Sequence, residues 1–453
     1  MRAHAFPKVT EKEYTLLGQK HTLSKRLSIA CSLILATLTA IPTQADTYAL
    51  PPAGDDVVGK PQIVITREKD TLLDIARSYD LGYDEIAKAN PGVDPWLPKP
   101  GTRILLPTRF ILPKGTRQGI VLNVAEMRLY FFPKAKPGQT PMVVTHPVGI
   151  GREGWSTPIG ETKVASKRAN PKWYVPQSIL KEHAEKGDPL PRVVAAGPDN
   201  PLGNYAMPLG IPGYLIHGTN KPFGIGRRVS HGCIQLYPED IEGLFKDIPV
   251  GTPVRIINQP YKAGWLNDKI YLETHEPLGE DVKGKAINLT PMVNVILDAA
   301  KDRKVVNWDK ATEIATRHIG IPMSVSVNTP SIDEELLALN QLEPAPNQAN
   351  RDDAHEPSLA EVTGQWFIKV GGLDSQENAY KLAAMLRHLG PPIPAMATQD
   401  GGAYQVLSGP YRNRAEALKA SRRINTSLEV PAQVMAPLGS QKTGQTTVKG
   451  KKG

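Results

Sequence analysis

With 453 residues, 40% of them hydrophobic, the chain has length for about three domains of roughly 150 residues and enough apolar side chains for ordinary cores, which argues against one compact body. Its formal charge is +9 at pH 7, and removing residues 1–45 would take away six basic and two acidic side chains and leave +5, a mild excess. Four of the remaining charges, Lys442, Lys449, Lys451 and Lys452, crowd into the end of the chain, so residues 438–453 read as a basic disordered tail.

Residues 1–45 read as an export signal. Lys20, Lys25 and Arg26 precede a 15-residue apolar run from Leu27 to Ile41, and Thr43-Gln44-Ala45 supplies small residues for cleavage after Ala45. The mature chain is then expected in the periplasm. A membrane anchor is the alternative, but 15 residues at 1.5 Å each span only about 22 Å of a ~30 Å hydrocarbon core. Cys31 lies inside the apolar run rather than at its end, which argues against lipidation. Nucleic acid is a poor partner for an exported chain, whereas an acidic cell wall is at hand. Cleavage leaves Cys233 as the one cysteine, a thiol with no internal disulfide partner in an oxidising compartment. A buried inert cysteine and a reactive one both fit that count, so its neighbours must decide.

Residues 46–61, rich in Pro, Gly and Asp, read as a linker. From 62 to 107 the pattern is strand (Ile63-Val64-Ile65), helix, helix, strand (Arg103 to Leu106). Leu72, Ile75, Ala76 and Tyr79 give the helical i, i+3, i+4, i+7 spacing, and Asp84 is placed to cap the second helix. With Ala89-Asn90-Pro91-Gly92 and Leu97-Pro98-Lys99-Pro100-Gly101, this segment resembles a LysM domain, a βααβ family that binds N-acetylglucosamine-containing glycans. Residues 118–257 change to short strands punctuated by Gly and Pro, a mostly β pattern. They include a predicted hairpin of 120–124 and 127–132 around Ala125-Glu126, a strand with Val143, Val144 and Val148, and one good helix from Pro238 that puts Ile241, Leu244, Phe245 and Ile248 on one face. Residues 258–326 read as an appendage of that domain, with a strand at Ile270–Leu272 and helices over Pro291–Ala300 and Trp308–His318. Residues 327–361, acidic and rich in Pro, Asn and Ala, suit a flexible linker. Residues 362–437 form a βα repeat: Trp366, Ile368 and Val370 alternate into a helix bearing Ala379, Leu382, Ala383 and Leu386. Tyr404-Gln405-Val406-Leu407 then leads to a helix with Ala415 and Leu418. This βαββαβ piece resembles a SPOR domain, a family that binds glycan strands lacking stem peptides.

The chemistry concentrates in Tyr214-Leu215-Ile216-His217-Gly218 and, after a gap, Ser230-His231-Gly232-Cys233-Ile234-Gln235-Leu236. An apolar strand delivers His217 and a Gly-bearing turn delivers Cys233, so two distant points of the chain can converge as a thiol–imidazole pair requires. A nearby imidazole or oriented N–H groups lower a cysteine pKa from ~8.5 into roughly the 3.5 to 7.5 range, which predicts a dominant thiolate. His217 would take the thiol proton and return it to a leaving amine. The N–H groups of Gly232 and Cys233 could hold the oxyanion. His231 reads as a loop-shaping residue. Zinc is the competing reading of two histidines and a cysteine, but a fourth ligand is missing and His231-x-Cys233 is not a common zinc spacing, so no metal and no cofactor is expected.

These residues closely resemble the active-site motif of L,D-transpeptidases of the YkuD fold, as do Asn123-Val124-Ala125-Glu126-Met127-Arg128-Leu129-Tyr130 and Thr157-Pro158-Ile159-Gly160. With the LysM-like segment ahead, the chain resembles periplasmic enzymes that anchor an outer-membrane lipoprotein to peptidoglycan. The resemblance implies a multidomain, mainly β chain: a YkuD-like catalytic domain between LysM-like and SPOR-like domains. It also implies Cys233 as nucleophile and His217 as proton donor and acceptor. The thiolate would attack the third residue of a tetrapeptide stem and release D-alanine. The thioester would then pass to an amine, either another stem or a lysine of a wall-anchored protein. Peptidoglycan stem peptides and glycan strands are the implied partners, and the end modules would concentrate stems by linkage. Gln235 departs from the family's usual Arg or Asn, so an ionic contact there is in doubt, and Arg227 and Arg228 are the basic residues near enough to replace it. Ser230, Gln235 and Arg228 are thus the expected substrate contacts. Two rival readings stay open: hydrolysis of the same thioester, as in an L,D-carboxypeptidase or an enzyme releasing anchored protein, and a non-catalytic wall-binding scaffold.

Overall fold

The computed structural model describes residues 46–435 and Pro437, apart from 69, 186, 188, 280–287, 301–302, 346–364 and 391. The expected export signal with Cys31, the basic tail and the second half of the 327–361 linker lie outside the described residues.

The catalytic region is built on two sheets. The main sheet has six strands in the order Asp46–Ala49, Met142–Pro147, Arg128–Phe132, Gly119–Asn123, Pro253–Ile257, Gly160–Lys163, antiparallel except where Pro253–Ile257 runs parallel to Gly119–Asn123. The second has four, in the order Arg168–Ala169, Tyr205–Pro208, Leu215–His217, Ile234–Gln235. The hairpin 120–124/127–132 forms as expected, with Leu122 opposite Leu129. All five residues of each of its strands are buried. The period-2 alternation of a strand explains why: successive side chains serve two different cores. Ile120, Leu122, Leu129 and Phe131 face the second sheet, with Met207, Ile216, Ile234 and the helix residues Ile241 and Leu244. Val121, Tyr130, Phe132 and Val143 face the other way, into one cluster with Leu72, Ile75, Ile86 and Ile104.

That second cluster changes the reading of the N-terminal module. Its strands Gln62–Ile65 and Arg103–Leu106 and helices Leu72–Ser78 and Tyr83–Ala89 give the expected βααβ order. The module is not tethered, however. Four large side chains of the main sheet, each worth about 1.5–3 kcal/mol when buried, hold it against the catalytic region. The second helix is capped differently from expectation: Gly82 is its N-cap, and Glu85 reaches back to accept the Gly82 N–H at 2.9 Å, because Asp84 already lies inside the first turn.

Three further differences have similar causes. Residues 46–61 are not merely a linker, since Asp46–Ala49 is the edge strand of the main sheet and Val57–Gly59 pairs with Arg109–Ile111. The catalytic region holds a second helix, Gln177–Glu185, whose one buried side chain, Ile179, left almost no apolar periodicity to read. The expected flexible linker contains the helix Ile332–Asn340, closed by a Ser331/Glu334 capping box and seated by buried Ile332. Residues 258–340 form an αβ body: strands Tyr261–Leu266, Lys269–Thr274 and Met323–Ser324 pack with helices Thr290–Ala300 and Trp308–Arg317. Its core also takes in Ile63 and Leu105 of the LysM-like module.

The C-terminal domain shows the expected βαββαβ order. Its strands lie Ala395–Asp400, Ala403–Tyr411, Trp366–Leu373, Ala432–Met435, with helices Gln376–Arg387 and Arg414–Leu428 contributing Leu382, Leu386, Ala417 and Ile424 to one core.

Candidate active site

His217 ends the strand Leu215–His217, which lies between an antiparallel neighbour, Tyr205–Pro208, and a parallel one, Ile234–Gln235. The register pairs Ile216 with Ile234 and His217 with Gln235. One step back, Cys233 falls opposite Leu215, on the same sheet face as His217 and Gln235. Strand spacing and a two-residue rise put the Cys233 and His217 Cα atoms roughly 8 Å apart, a span a thiol and an imidazole can close between them. In this structure Cys233 Sγ donates to the Gly213 carbonyl at 3.7 Å, and His217 Nδ1 lies 2.5 Å from the Gly218 carbonyl. A carbonyl only accepts, so Nδ1 carries a proton.

Burial sets the charge state of both. It pushes the His217 imidazole down to about 4, against the Gly218 and Leu202 carbonyls, which favour the protonated ring. It pushes the half-buried Cys233 thiol up to about 11, against a backbone hydrogen bond from Leu215. The expected thiolate is therefore corrected: the resting pair is neutral thiol and neutral imidazole, because no opposite charge faces either group strongly enough to offset desolvation.

The loop between the strands is braced by backbone and hydroxyl contacts. Gly232 has φ +103°, and a Cβ there would sit 2.8 Å from the Tyr214 ring, so the turn that presents Cys233 requires glycine. Gly232 N–H donates to Ser230 Oγ at 3.1 Å, and Ser230 Oγ donates to the Cys233 carbonyl at 2.6 Å. The Gly232 N–H thus has a partner within the resting loop, and Ser230 is buried with its hydroxyl used twice in shaping that loop. Thr157 Oγ donates to the Gly232 carbonyl at 2.9 Å and accepts the Gly151 N–H at 3.0 Å, which gives the Thr157-Pro158-Ile159-Gly160 stretch a physical role.

His231 points away from His217. Its Nε2 lies 3.0 Å from both Glu182 Oε2 and Arg152 Nη2, Arg152 pairs with Glu182 at 2.6 Å, and Trp155 packs edge-on to the ring with centroids 4.8 Å apart. The helix Gln177–Glu185 is thereby pinned to the cysteine loop. Nothing in the sequence pattern signalled Glu182, because its partners are 30 and 49 positions away. Arg228 Nε donates to the Gly151 carbonyl at 3.1 Å within the parallel pair of Arg228–Ser230 and Ile150–Gly151. Arg227 lies over the Tyr83 ring at 4.9 Å and near Asp84 at 3.9 Å, so its charge serves the LysM-like module rather than the mouth. Gln235 is half-buried, exchanges both main-chain hydrogen bonds with Gly149 at 2.9 Å, and keeps its side chain on the His217 face.

Residues 64–107 match the LysM domain family, 117–256 the L,D-transpeptidase catalytic domain family and 362–435 the SPOR domain family. The chain is 39% identical over 296 residues to probable L,D-transpeptidase YcfS of Escherichia coli K12, covering 64% of this chain and 91% of that protein. It is 48% identical over 238 residues to probable L,D-transpeptidase YbiS of the same strain, covering 52% and 76%. To probable L,D-transpeptidase ErfK/SrfK of Salmonella typhimurium LT2 it is 40% identical over 298 residues, covering 64% and 94%. Likeness of that depth, across nearly the whole of such relatives, means that the chain belongs to the L,D-transpeptidase family, as an enzyme whose catalytic domain is joined to two domains of peptidoglycan-binding families.

Proposed function

We propose that the chain cross-links or anchors to peptidoglycan through an acyl-enzyme on Cys233. As substrate enters, the thiol proton passes to His217 Nε2 while Sγ attacks the carbonyl of the third residue of a tetrapeptide stem. The imidazolium then gives that proton to the departing D-alanine amine, leaving a thioester. An acceptor amine gives its proton to the same nitrogen and attacks the thioester, which restores the thiol. Cys233 N–H is the donor that remains for the oxyanion, since Gly232 N–H is held by Ser230. The observation that supports this reading best is the parallel register of Ile216 with Ile234, which brings the chain just before Ile234, where Cys233 lies, alongside the strand that ends in His217.

The neutral resting pair suits transfer, because a thiol that ionises only against a bound carbonyl is protected from oxidation in the compartment where the wall is built. Export by residues 1–45 belongs to this reading; amino-terminal sequencing of the mature protein from a periplasmic fraction, starting at Asp46, is the expected result. The acceptor is a stem amine or a lysine of an outer-membrane lipoprotein. Incubation with purified tetrapeptide muropeptides should give D-alanine, a Cys233 adduct of stem mass, and dimers joined between third residues once acceptor is added. Free tripeptide as the main product would instead establish hydrolysis, and an unmodified Cys233 with no D-alanine release would leave a wall-binding scaffold.

A further inference from the structure

We propose that Asp80, His146 and Asp240 form a binding site for a divalent transition-metal ion that ties the LysM-like module to the catalytic domain. The three residues come from separate elements. Asp80 follows the first LysM-like helix, His146 lies on the main-sheet strand Met142–Pro147, and Asp240 sits in the first turn of Pro238–Asp247, the helix after the strand Ile234–Gln235 that follows Cys233. Their ligand atoms all lie within 4.8 Å of one another. His146 Nδ1 is 2.9 Å from Asp80 Oδ2 and 3.5 Å from Asp240 Oδ1. A cation with bonds of roughly 2.0–2.2 Å, four- to six-coordinate, sets its ligand atoms roughly 2.9–3.5 Å apart.

A second observation separates this cluster from an ordinary buried ion pair. His146 is 2% exposed. Its Nδ1, both carboxylate oxygens of Asp80 and Oδ2 of Asp240 are shut off from solvent and make no well-aligned hydrogen bond, while against burial the two carboxylates hold the imidazole protonated with its pKa raised to about 10, so a proton occupies the place that the metal would take. The other such group found among the described residues, Glu126, Glu273 and His275, holds a lysine between its carboxylates instead: Lys262 Nζ lies 2.8 Å from both Glu126 and Glu273. Among the described residues no lysine or arginine nitrogen comes within 4.0 Å of the Asp80 or Asp240 carboxylates. The adjacent Arg128 gives its charge to Glu85 at 2.7 Å and reaches only the main-chain carbonyl of Asp80. One imidazole nitrogen and two carboxylates balance a dication in charge and suit zinc, cobalt or manganese, with water completing the shell.

Zinc is the probe, on the untagged full chain carrying Cys233→Ala so that the thiol cannot bind it. After chelator treatment and equilibration with zinc, elemental analysis should give one zinc per chain. Cobalt in its place should show visible d–d bands without a thiolate charge-transfer band. Asp240→Asn and His146→Gln should each weaken zinc binding roughly tenfold or more and abolish the rise in melting temperature that zinc produces in the parent. Less than about 0.2 equivalents of zinc in the parent, or full binding retained in both variants, overturns the site. Should a variant fail to fold, the parent's stoichiometry and cobalt spectrum decide by themselves: one nitrogen- and oxygen-ligated cobalt supports the site, and none overturns it.

Discussion

At the mouth of the second sheet, His217 and Cys233 are desolvated with backbone carbonyls and amides as their partners. Between the catalytic domain and the modules packed on it, Lys262 is sealed between Glu126 and Glu273, and Arg128 is fully buried against Glu85 and the Phe110 ring. The same desolvation acts in both places with opposite results. Where only dipoles oppose it, the neutral forms win: burial pushes the thiol up to about 11 and the imidazole down to about 4. At Glu273 opposite charges in contact win: burial alone would raise the carboxyl, yet Lys262 and His275 hold it below the ordinary range, whereas burial keeps Glu85 raised even against Arg128. The thiol and imidazole rest uncharged, while the domain seam holds buried ion pairs.

The comparison can be broken at either end. Replacing Cys233 by Ala should reduce D-alanine release on the order of 10⁴-fold or more, to the uncatalysed background, with an unchanged circular dichroism spectrum. Residual turnover within tenfold of the parent would remove the thiol from the chemistry. Lys262→Met leaves Glu126 and Glu273 buried without their lysine, with His275 as the remaining ion-pair partner of Glu273, and should cost about 3–5 kcal/mol in denaturant unfolding. Adding Glu273→Gln to that variant should recover part of the loss, and an unmoved unfolding midpoint in Lys262→Met would show the seam to be uncharged. Gly232→Ala forces a Cβ against Tyr214 at positive φ, so kcat should fall roughly 10- to 100-fold while the global melting temperature drops only a few degrees.

The finest test is pH. With the imidazole protonating near 4 and the thiol ionising near 11, the competent neutral pair persists between them, so kcat/KM should be flat from about pH 6 to 9. Alkylation of Cys233 by iodoacetamide needs thiolate and should rise about tenfold per pH unit over that range. An alkylation rate already level at pH 7 would mean a resting thiolate and would erase the contrast with the seam.

How legible this was in the sequence varies by element. The hairpin 120–132, the helix from Pro238 and the βαββαβ order of the C-terminal domain follow from apolar spacing and turn residues within short windows; the first two form within a residue or two of expectation, and the third in the expected order with longer strands. The strand Asp46–Ala49 and the helix Ile332–Asn340 did not show, because each is stabilised by partners far along the chain, Thr145 to Met142 in one case and Lys310 and Arg103 in the other. At the site, His217 and Cys233 stood out by residue type and motif. The roles of Ser230, Gly232, Arg227 and Glu182 did not, since a hydroxyl or guanidinium reads the same in sequence whether its partner is a substrate or the protein's own backbone.

The sequence by itself determined the order of the domains and singled out His217 and Cys233 as the candidate pair, because local spacing and residue chemistry are enough for those. Only the tertiary structure decided that the LysM-like module shares a core with the catalytic sheet, and that the reactive pair rests uncharged. Both depend on how much water is excluded and on which distant groups take its place, and those are properties of the packed chain that no window of sequence contains.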